Sequence, residues 1–213
     1  MPPPPAPNPR LIPTDAATLV LIDWSARKPR LLMGRRRADL AFMANKYVFP
    51  GGRVDVTDQN APSADELAPA VLGKLLTGMR GRPSAARARG LAMAAIRETR
   101  EETGLVVGQA DAPQLSALTF LARAITPPGR VRRYDTRFFI ADAQTLTQRT
   151  LGGDGELLDL AWFSLPEARA LDIPGITRLV IEDVAQALQA DITRPAQVPF
   201  YTQRSGKTRR ELL

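Results

Sequence analysis
The stretch from Arg97 to Leu105, Arg-Glu-Thr-Arg-Glu-Glu-Thr-Gly-Leu, constrains this chain more tightly than any other. Glu98, Glu101 and Glu102 fall at i, i+3 and i+4, the spacing that stacks side chains along one side of an α-helix. Ala92, Ala95, Ile96, Thr99 and Thr103 make the apolar side, so the acidic stripe is expected to turn away from the core. Gly104 supplies the left-handed residue on which helices commonly end. Three carboxylates this close repel one another unless positive charge sits among them. A divalent cation with oxygen ligands meets that need. A solvated helix face meets it too, with Arg97 and Glu101 in an i,i+4 pair worth a few tenths of a kcal/mol.

Upstream, Phe49-Pro50-Gly51-Gly52 is followed by Arg53-Val54-Asp55. A Gly-Gly pair after an apolar strand lets the backbone turn sharply and approach a ligand or another backbone. The chain has no Cys and no His, which rules out disulfides, thiolate metal sites and imidazole catalysis. Any chemistry must then come from carboxylates, Tyr, Lys or Arg, which suits a hard cation. The formal charge of +7 is carried almost wholly by Arg, the residue best shaped for bidentate phosphate contacts. Binding of nucleic acid by a diffuse basic surface is a competing reading, but no helix-turn-helix, zinc finger or aromatic RNA-recognition motif is visible. A small anionic substrate is preferred.

These residues resemble the signature of the Nudix hydrolase superfamily. That signature is a Gly, five residues, a Glu, seven residues, then Arg-Glu-apolar-x-Glu-Glu-x-Gly-apolar. Arg97 to Leu105 matches its second half, with Thr99 in the apolar position. The first half begins at Gly52, with Asp58 where the signature has Glu; counted back from Arg97, that position is Arg89. Arg97 lies forty-five residues beyond Gly52 instead of fourteen, so thirty-one extra residues split the box. With Tyr47 to Gly52, Thr126-Pro127 and Tyr134 to Phe139, the split box looks like that of the peroxisomal coenzyme A diphosphatases. Asp58 and the C-terminal Glu-Leu-Leu, in place of a Ser-Lys-Leu type address, depart from that group.

The resemblance implies an α+β fold, a Nudix-type α/β/α sandwich with a mixed sheet and a helical insertion at about 59–83 inside the box. It spans a domain at 14–193, between a Pro-rich arm at 1–13 and a basic tail at 194–213 expected to run over the surface. Strands are expected at Thr18 to Asp23, Arg30 to Gly34, Tyr47 to Phe49, Leu115 to Thr126, Arg133 to Ile140 and Leu157 to Phe163. In the insertion, Ser63 is the expected N-cap of a helix, with Glu66 completing a capping box and Leu67, Val71, Leu72, Leu75 and Leu76 on its apolar face. A second helix should start near Ser84 and run through Thr103, and a last one from Gly175 to Ala190. Gly152-Gly153-Asp154-Gly155-Glu156 reads as a mobile acidic loop. The longest apolar run, Ala16 to Ile22, is too short to span a bilayer, and Met-Pro-Pro-Pro-Pro-Ala-Pro lacks the pattern of a signal peptide. A cytoplasmic location is expected.

By the same resemblance, Glu101 and Glu102 are the main ligands of Mg²⁺ or Mn²⁺. Glu98 is a further ligand or the base that orients a water, the Gly51 carbonyl also ligates, and Arg97 orients the glutamates. Glu156 is the first choice for the extra carboxylate that many members recruit across the cleft, and Asp159 the second. Arg35, Arg53, Arg133, Tyr134 and Arg137 are candidate substrate contacts. The expected partner is a small nucleoside diphosphate derivative, with coenzyme A or acyl-CoA leading; no membrane is expected, nucleic acid is disfavoured and a homodimer is open. ADP-ribose, dinucleotide or capped-RNA hydrolysis and a non-catalytic nucleotide sensor are the alternatives.

Overall fold
A strand that is apolar on both sides must lie between two layers. In the computed structural model, which describes residues 11–190, 197–204 and 206–213, β1 (Thr14–Asp23) is such a strand. Leu19 and Leu21 face one core, shared with α1 (Pro69–Leu76) and α2 (Ala85–Thr103). Val20 and Ile22 face the other, shared with α3 (Leu165–Ala170) and α4 (Gly175–Ala187). The alternation follows from the two-residue period of a strand.

The remaining strands are β2 (Arg30–Arg36), β3 (Tyr47–Val48), β4 (Gly51–Arg53), β6 (Thr119–Ile125), β7 (Tyr134–Asp142), β9 (Leu157–Ser164), β10 (Pro199–Arg204) and β11 (Lys207–Leu212). They form a mixed sheet in the order β11-β10-β6-β7-β1-β2-β3, with β4 also paired to β1 and β9 to β2. The β1–β7 and β10–β6 pairs are parallel, and the other pairs of this sheet are antiparallel. A separate two-stranded sheet joins β5 (Val106–Val107) to β8 (Leu146–Gln148). The fold is the α+β sandwich with a mixed sheet and helices on both faces that the sequence implied.

Three expectations need correction. The insertion's helix starts at Pro69 rather than after Ser63. A proline disfavours helical geometry in the residue before it, and Ala68 is extended at φ −53, ψ 137. Ser63 and Glu66 instead bind Arg89 of α2, with Nη2 donating to Ser63 Oγ at 2.6 Å and Nε to Glu66 Oε1 at 3.0 Å. The basic C-terminal segment also does more than run over the surface. It forms the hairpin β10–β11 at the sheet edge, and Tyr201 Oη donates to the buried Asp183 at 2.7 Å. The third concerns the glycine-rich loop, which is tied down by α2 as described below. Residues 1–10 of the Pro-rich arm lie outside the described residues.

Candidate active site
α2 carries the acidic stripe. Ser84 caps its start by accepting the Arg87 N–H, and Gly104 ends it at φ 74. The three glutamates leave the helix into different surroundings. Glu102 is only 2% exposed. It lies against the glycine turn, where its Oε2 accepts the Gly51 N–H at 2.8 Å. Glu98 presses on the neighbouring glycine so closely that a Cβ on Gly52 would stand 2.3 Å from Glu98 Cδ. Only glycine leaves room for that carboxylate. Glu101, with its side chain 48% exposed, points outward. The stripe thus does not simply face solvent, because Glu102 is buried beneath the turn.

Arg97 organises the outer two. Its Nη1 donates to Glu98 Oε1 and to Glu101 Oε2, each at 2.9 Å. Its Nε and Nη2 grip both oxygens of Asp58 at 2.9 and 3.1 Å. Nη2 also reaches the Arg53 carbonyl at 3.0 Å, just past the glycine turn. Asp58 is therefore the residue in this structure that holds Arg97 from the first half of the split box, despite being one methylene shorter than Glu; Arg89 is committed to Ser63 and Glu66. The thirty-one extra residues loop out between these halves without separating them.

Glu156 is brought into the same site by the loop that precedes β9. Gly152 N–H donates to the Thr103 carbonyl and Asp154 N–H to the Glu101 carbonyl, both at 2.9 Å, so the loop satisfies carbonyls left open at the end of α2. A Cβ on Gly153 would meet the Glu102 carbonyl oxygen at 2.3 Å. The two glycines are what let this loop sit on the helix end. They deliver Glu156 close enough for its charge to raise the proton affinity of both Glu98 and Glu102.

Electrostatically the site is short of positive charge. Burial, reinforced by Glu156 and Glu98, pushes the Glu102 carboxyl up to about 8, against the pull of the Gly51 N–H and Arg36. Burial raises Glu98 as well, against the opposing charge of Arg97. Arg97 itself is held charged above its ordinary range by Asp58 and Glu98, which outweigh its burial. Among the described residues no three carboxylates converge into a ready ion cage, because Arg97 draws Glu98 and Glu101 to itself. The donor set nevertheless fits a hard cation: it is all oxygen, held by a glycine cradle, in a buried setting that disfavours bare negative charge.

The other candidates lie elsewhere or serve the fold. Arg35 donates to Asp159 Oδ2 at 2.7 Å, so Asp159, the second choice for an extra carboxylate, pairs with Arg35 and not with the stripe. Arg53 is exposed, and its side chain comes no closer than 3.6 Å to Asp55. Arg133 holds a turn, donating to the Thr126 and Leu11 carbonyls at 3.0 and 2.6 Å. Tyr134 packs edge-on against Phe42 with centroids 5.3 Å apart. Arg137, expected at the substrate, is buried at 1% exposure between Asp15 and Asp135. From the run Arg35-Arg36-Arg37, a solvated loop or a phosphate contact by sequence, Arg35 was the candidate, and it is Arg36 that enters the site. It reaches Glu156 at 2.6 Å and stands 3.8 Å from Glu102. Its signal was strand alternation, since adjacent residues of β2 point to opposite faces and only one of Arg35 and Arg36 could meet the stripe.

The NUDIX domain family matches residues 87–184. No curated protein matches this sequence. Among solved structures, the NUDIX hydrolase of Alicyclobacillus acidocaldarius is similar over 85% of this chain and 97% of its own, at 22% identity and a TM-score of 0.64. The NUDIX domain of Shewanella oneidensis NrtR, solved with ADP ribose, is similar over 84% of this chain and 90% of its own, at 14% identity and a TM-score of 0.54. A C. elegans Ap4A hydrolase in a binary complex is similar over 83% of this chain and 98% of its own, at 16% identity and a TM-score of 0.51. These likenesses share the fold. The family match takes in the whole glutamate stripe, so over residues 87–184 the chain is similar to the NUDIX domain family.

Proposed function
We propose that this protein hydrolyses a diphosphate linkage in a nucleoside diphosphate joined to another moiety, with Mg²⁺ or Mn²⁺ bound at the acidic site. One observation carries the reading: Glu98 and Glu102 lie against the Gly51-Gly52 turn, and Arg36 links Glu102 to Glu156 of the facing loop. A cation bound there would neutralise the diphosphate and lower the pKa of a coordinated water. The residues that would hold it are Glu98, Glu101, Glu102 and the Gly51 carbonyl, with Glu156 from the facing loop. Arg97 keeps Glu98 and Glu101 on the same side of the helix, and Asp58 keeps Arg97 in place. Glu98, whose proton affinity is raised, is suited to accept a proton from the attacking water. Arg53, exposed beside the turn, is available to an arriving phosphate.

Coenzyme A and acyl-CoA lead the substrate candidates because the box is split as in the diphosphatases it resembles. ADP-ribose and dinucleoside polyphosphates come next, since structural neighbours include a NUDIX domain solved with ADP ribose and an Ap4A hydrolase. The test is turnover of coenzyme A, ADP-ribose, NADH and dinucleoside polyphosphates with Mg²⁺ or Mn²⁺, with products identified by mass spectrometry. Cleavage of one class within the diphosphate is expected. Tight nucleotide binding in a calorimeter with no product from any of them would instead make the protein a sensor.

A further inference from the structure
Among the described residues, Arg36 is the one cation placed against the carboxylates that Arg97 does not serve. Arg97 already contacts Asp58, Glu98 and Glu101. Facing Glu102 and Glu156 is Arg36, whose side chain is 15% exposed. Nη2 donates to Glu156 Oε1 at 2.6 Å, and Nη1 stands 3.8 Å from Glu102 Oε1. The rest of the residue is anchored. Its N–H donates to the Lys46 carbonyl at 2.9 Å, its carbonyl accepts the Asn45 N–H at 3.0 Å, and Nε donates to the Phe42 carbonyl at 3.0 Å. Only the two terminal nitrogens can change partner without undoing the strand end and the loop that follows it.

A guanidinium held on Glu102 and Glu156 competes with a divalent ion for the same carboxylate oxygens, because like charges a few ångströms apart repel in a buried site. The planar fork of Arg is also well matched to phosphate oxygens. We propose that Arg36 is a resident counter-cation for Glu102 and Glu156, that it yields them to the entering divalent ion, and that its terminal nitrogens then turn onto the diphosphate. The inference rests on the function proposed above and adds a positioning role that the signature does not contain. It also assigns different work to neighbouring arginines, since Arg35 is turned away onto Asp159.

The test begins with Mn²⁺ titrated by calorimetry into metal-free wild type, Arg36→Gln and Arg36→Lys, each checked for folding by its melting curve. Removing the resident charge should tighten Mn²⁺ binding about tenfold in Arg36→Gln, with Arg36→Lys close to wild type. At saturating Mn²⁺, with a substrate the wild type cleaves, KM should rise about tenfold in Arg36→Gln while kcat moves little, and Lys should restore part of the loss. Equal or weaker Mn²⁺ affinity in Arg36→Gln overturns the counter-cation role, and an unchanged KM overturns the phosphate role. If none of the three proteins binds Mn²⁺, the metal-dependent function itself falls, and this inference with it.

Discussion

Two clusters of buried charge sit at different places on β1 and α2, and they resolve their electrostatics in opposite ways. The first lies near the start of both elements. Arg123 grips both oxygens of Asp135 at 2.8 and 2.7 Å, and Arg137 bridges Asp135 and Asp15 at 3.0 Å from each. Arg87 of α2 closes on Asp15 from outside, and Arg123 donates to the Gly78 carbonyl after the insertion's helix. Two carboxylates meet three guanidiniums, and the cluster ties β1, β6, β7, α2 and the insertion together. In the second cluster, around the glycine turn, the side chains of Asp58, Glu98, Glu101, Glu102 and Glu156 meet, among the described residues, Arg97 and Arg36. Glu102 is the more deeply buried, its side chain 3% exposed against 17% for Asp15, and it also has fewer cations close by to offset that burial. Asp15 is held below its ordinary range because Arg87 and Arg137 outweigh its burial, whereas Glu102 is driven up. A cluster that closes on itself holds a fold; one left short of positive charge is ready for a cation from solution.

The comparison breaks most visibly at Asp135. Asp135→Leu leaves Arg123 and Arg137 buried without their shared carboxylate, which should cost about 3–5 kcal/mol and lower the melting temperature by roughly 10 °C. Activity per folded molecule should survive, as measured at a temperature where the variant remains folded. At the other cluster the pattern should invert. Glu102→Gln keeps an oxygen to accept the Gly51 N–H, so the fold should hold, while kcat should fall at least ~100-fold through loss of a charge proposed to hold the cation. If Glu102→Gln unfolds the protein as Asp135→Leu does, both clusters are structural and the distinction fails.

A pH series sharpens the contrast because the two carboxylates are shifted in opposite directions. The folded pKa of Glu102 is raised from 4.5 to about 8, so the folded state holds that proton more tightly than the unfolded chain. Its contribution to stability is complete below the ordinary value and is lost as pH rises through about 8. In chelator-treated protein, Glu102→Gln should therefore melt with the wild type near pH 4 and above it by roughly 5 °C or more near pH 9. Mn²⁺ should close that gap by stabilising the wild type alone. Asp15 has the other sign. Its stabilisation is present above the ordinary value of 3.8 and is lost as pH falls through its depressed value, so Asp15→Asn should cost most at neutral pH. Differential scanning fluorimetry of both variants across pH reads the two slopes in one experiment, and parallel slopes would overturn the account.

The first cluster was nearly invisible in the sequence, and the second largely legible. Glu98, Glu101 and Glu102 announce themselves by helical spacing, and Gly104 by the helix end it must form. The glycine turn is equally local. What spacing cannot convey is which residues of distant strands meet. Arg137 looked like a substrate contact because an Arg in a strand of mixed polarity is ambiguous until its partners are known. Asp15 and Asp135 are those partners, Arg123 shares Asp135 with Arg137, and the sheet order brings these residues of three strands together. Arg35 was preferred over Arg36 for a similar reason, since which face of β2 turns towards the stripe depends on the irregular pairing with β9 between Met33 and Arg35. The misplaced start of α1 was avoidable from sequence alone: Pro69 was a stronger boundary than the capping pattern at Ser63. The C-terminal hairpin was hidden by charge, because an exposed edge strand rich in Lys and Arg looks like a tail.

The smallest effect in this comparison is expected at Arg35, next in sequence to Arg36 but paired outside both clusters. Its guanidinium meets Asp159 on the solvent side, where an ion pair is screened and side-chain entropy offsets most of the attraction. Arg35→Gln should leave the melting temperature close to that of wild type and Mn²⁺ affinity unaltered. KM should stay within about twofold of wild type, because no carboxylate of the stripe touches Arg35 and its fork is already occupied. Running Arg35→Gln beside Arg36→Gln in the same titration makes each the control for the other. A rise in KM in Arg35→Gln as large as that in Arg36→Gln would mean that substrate reaches both faces of the strand end, and the division of labour between the two arginines would have to be abandoned.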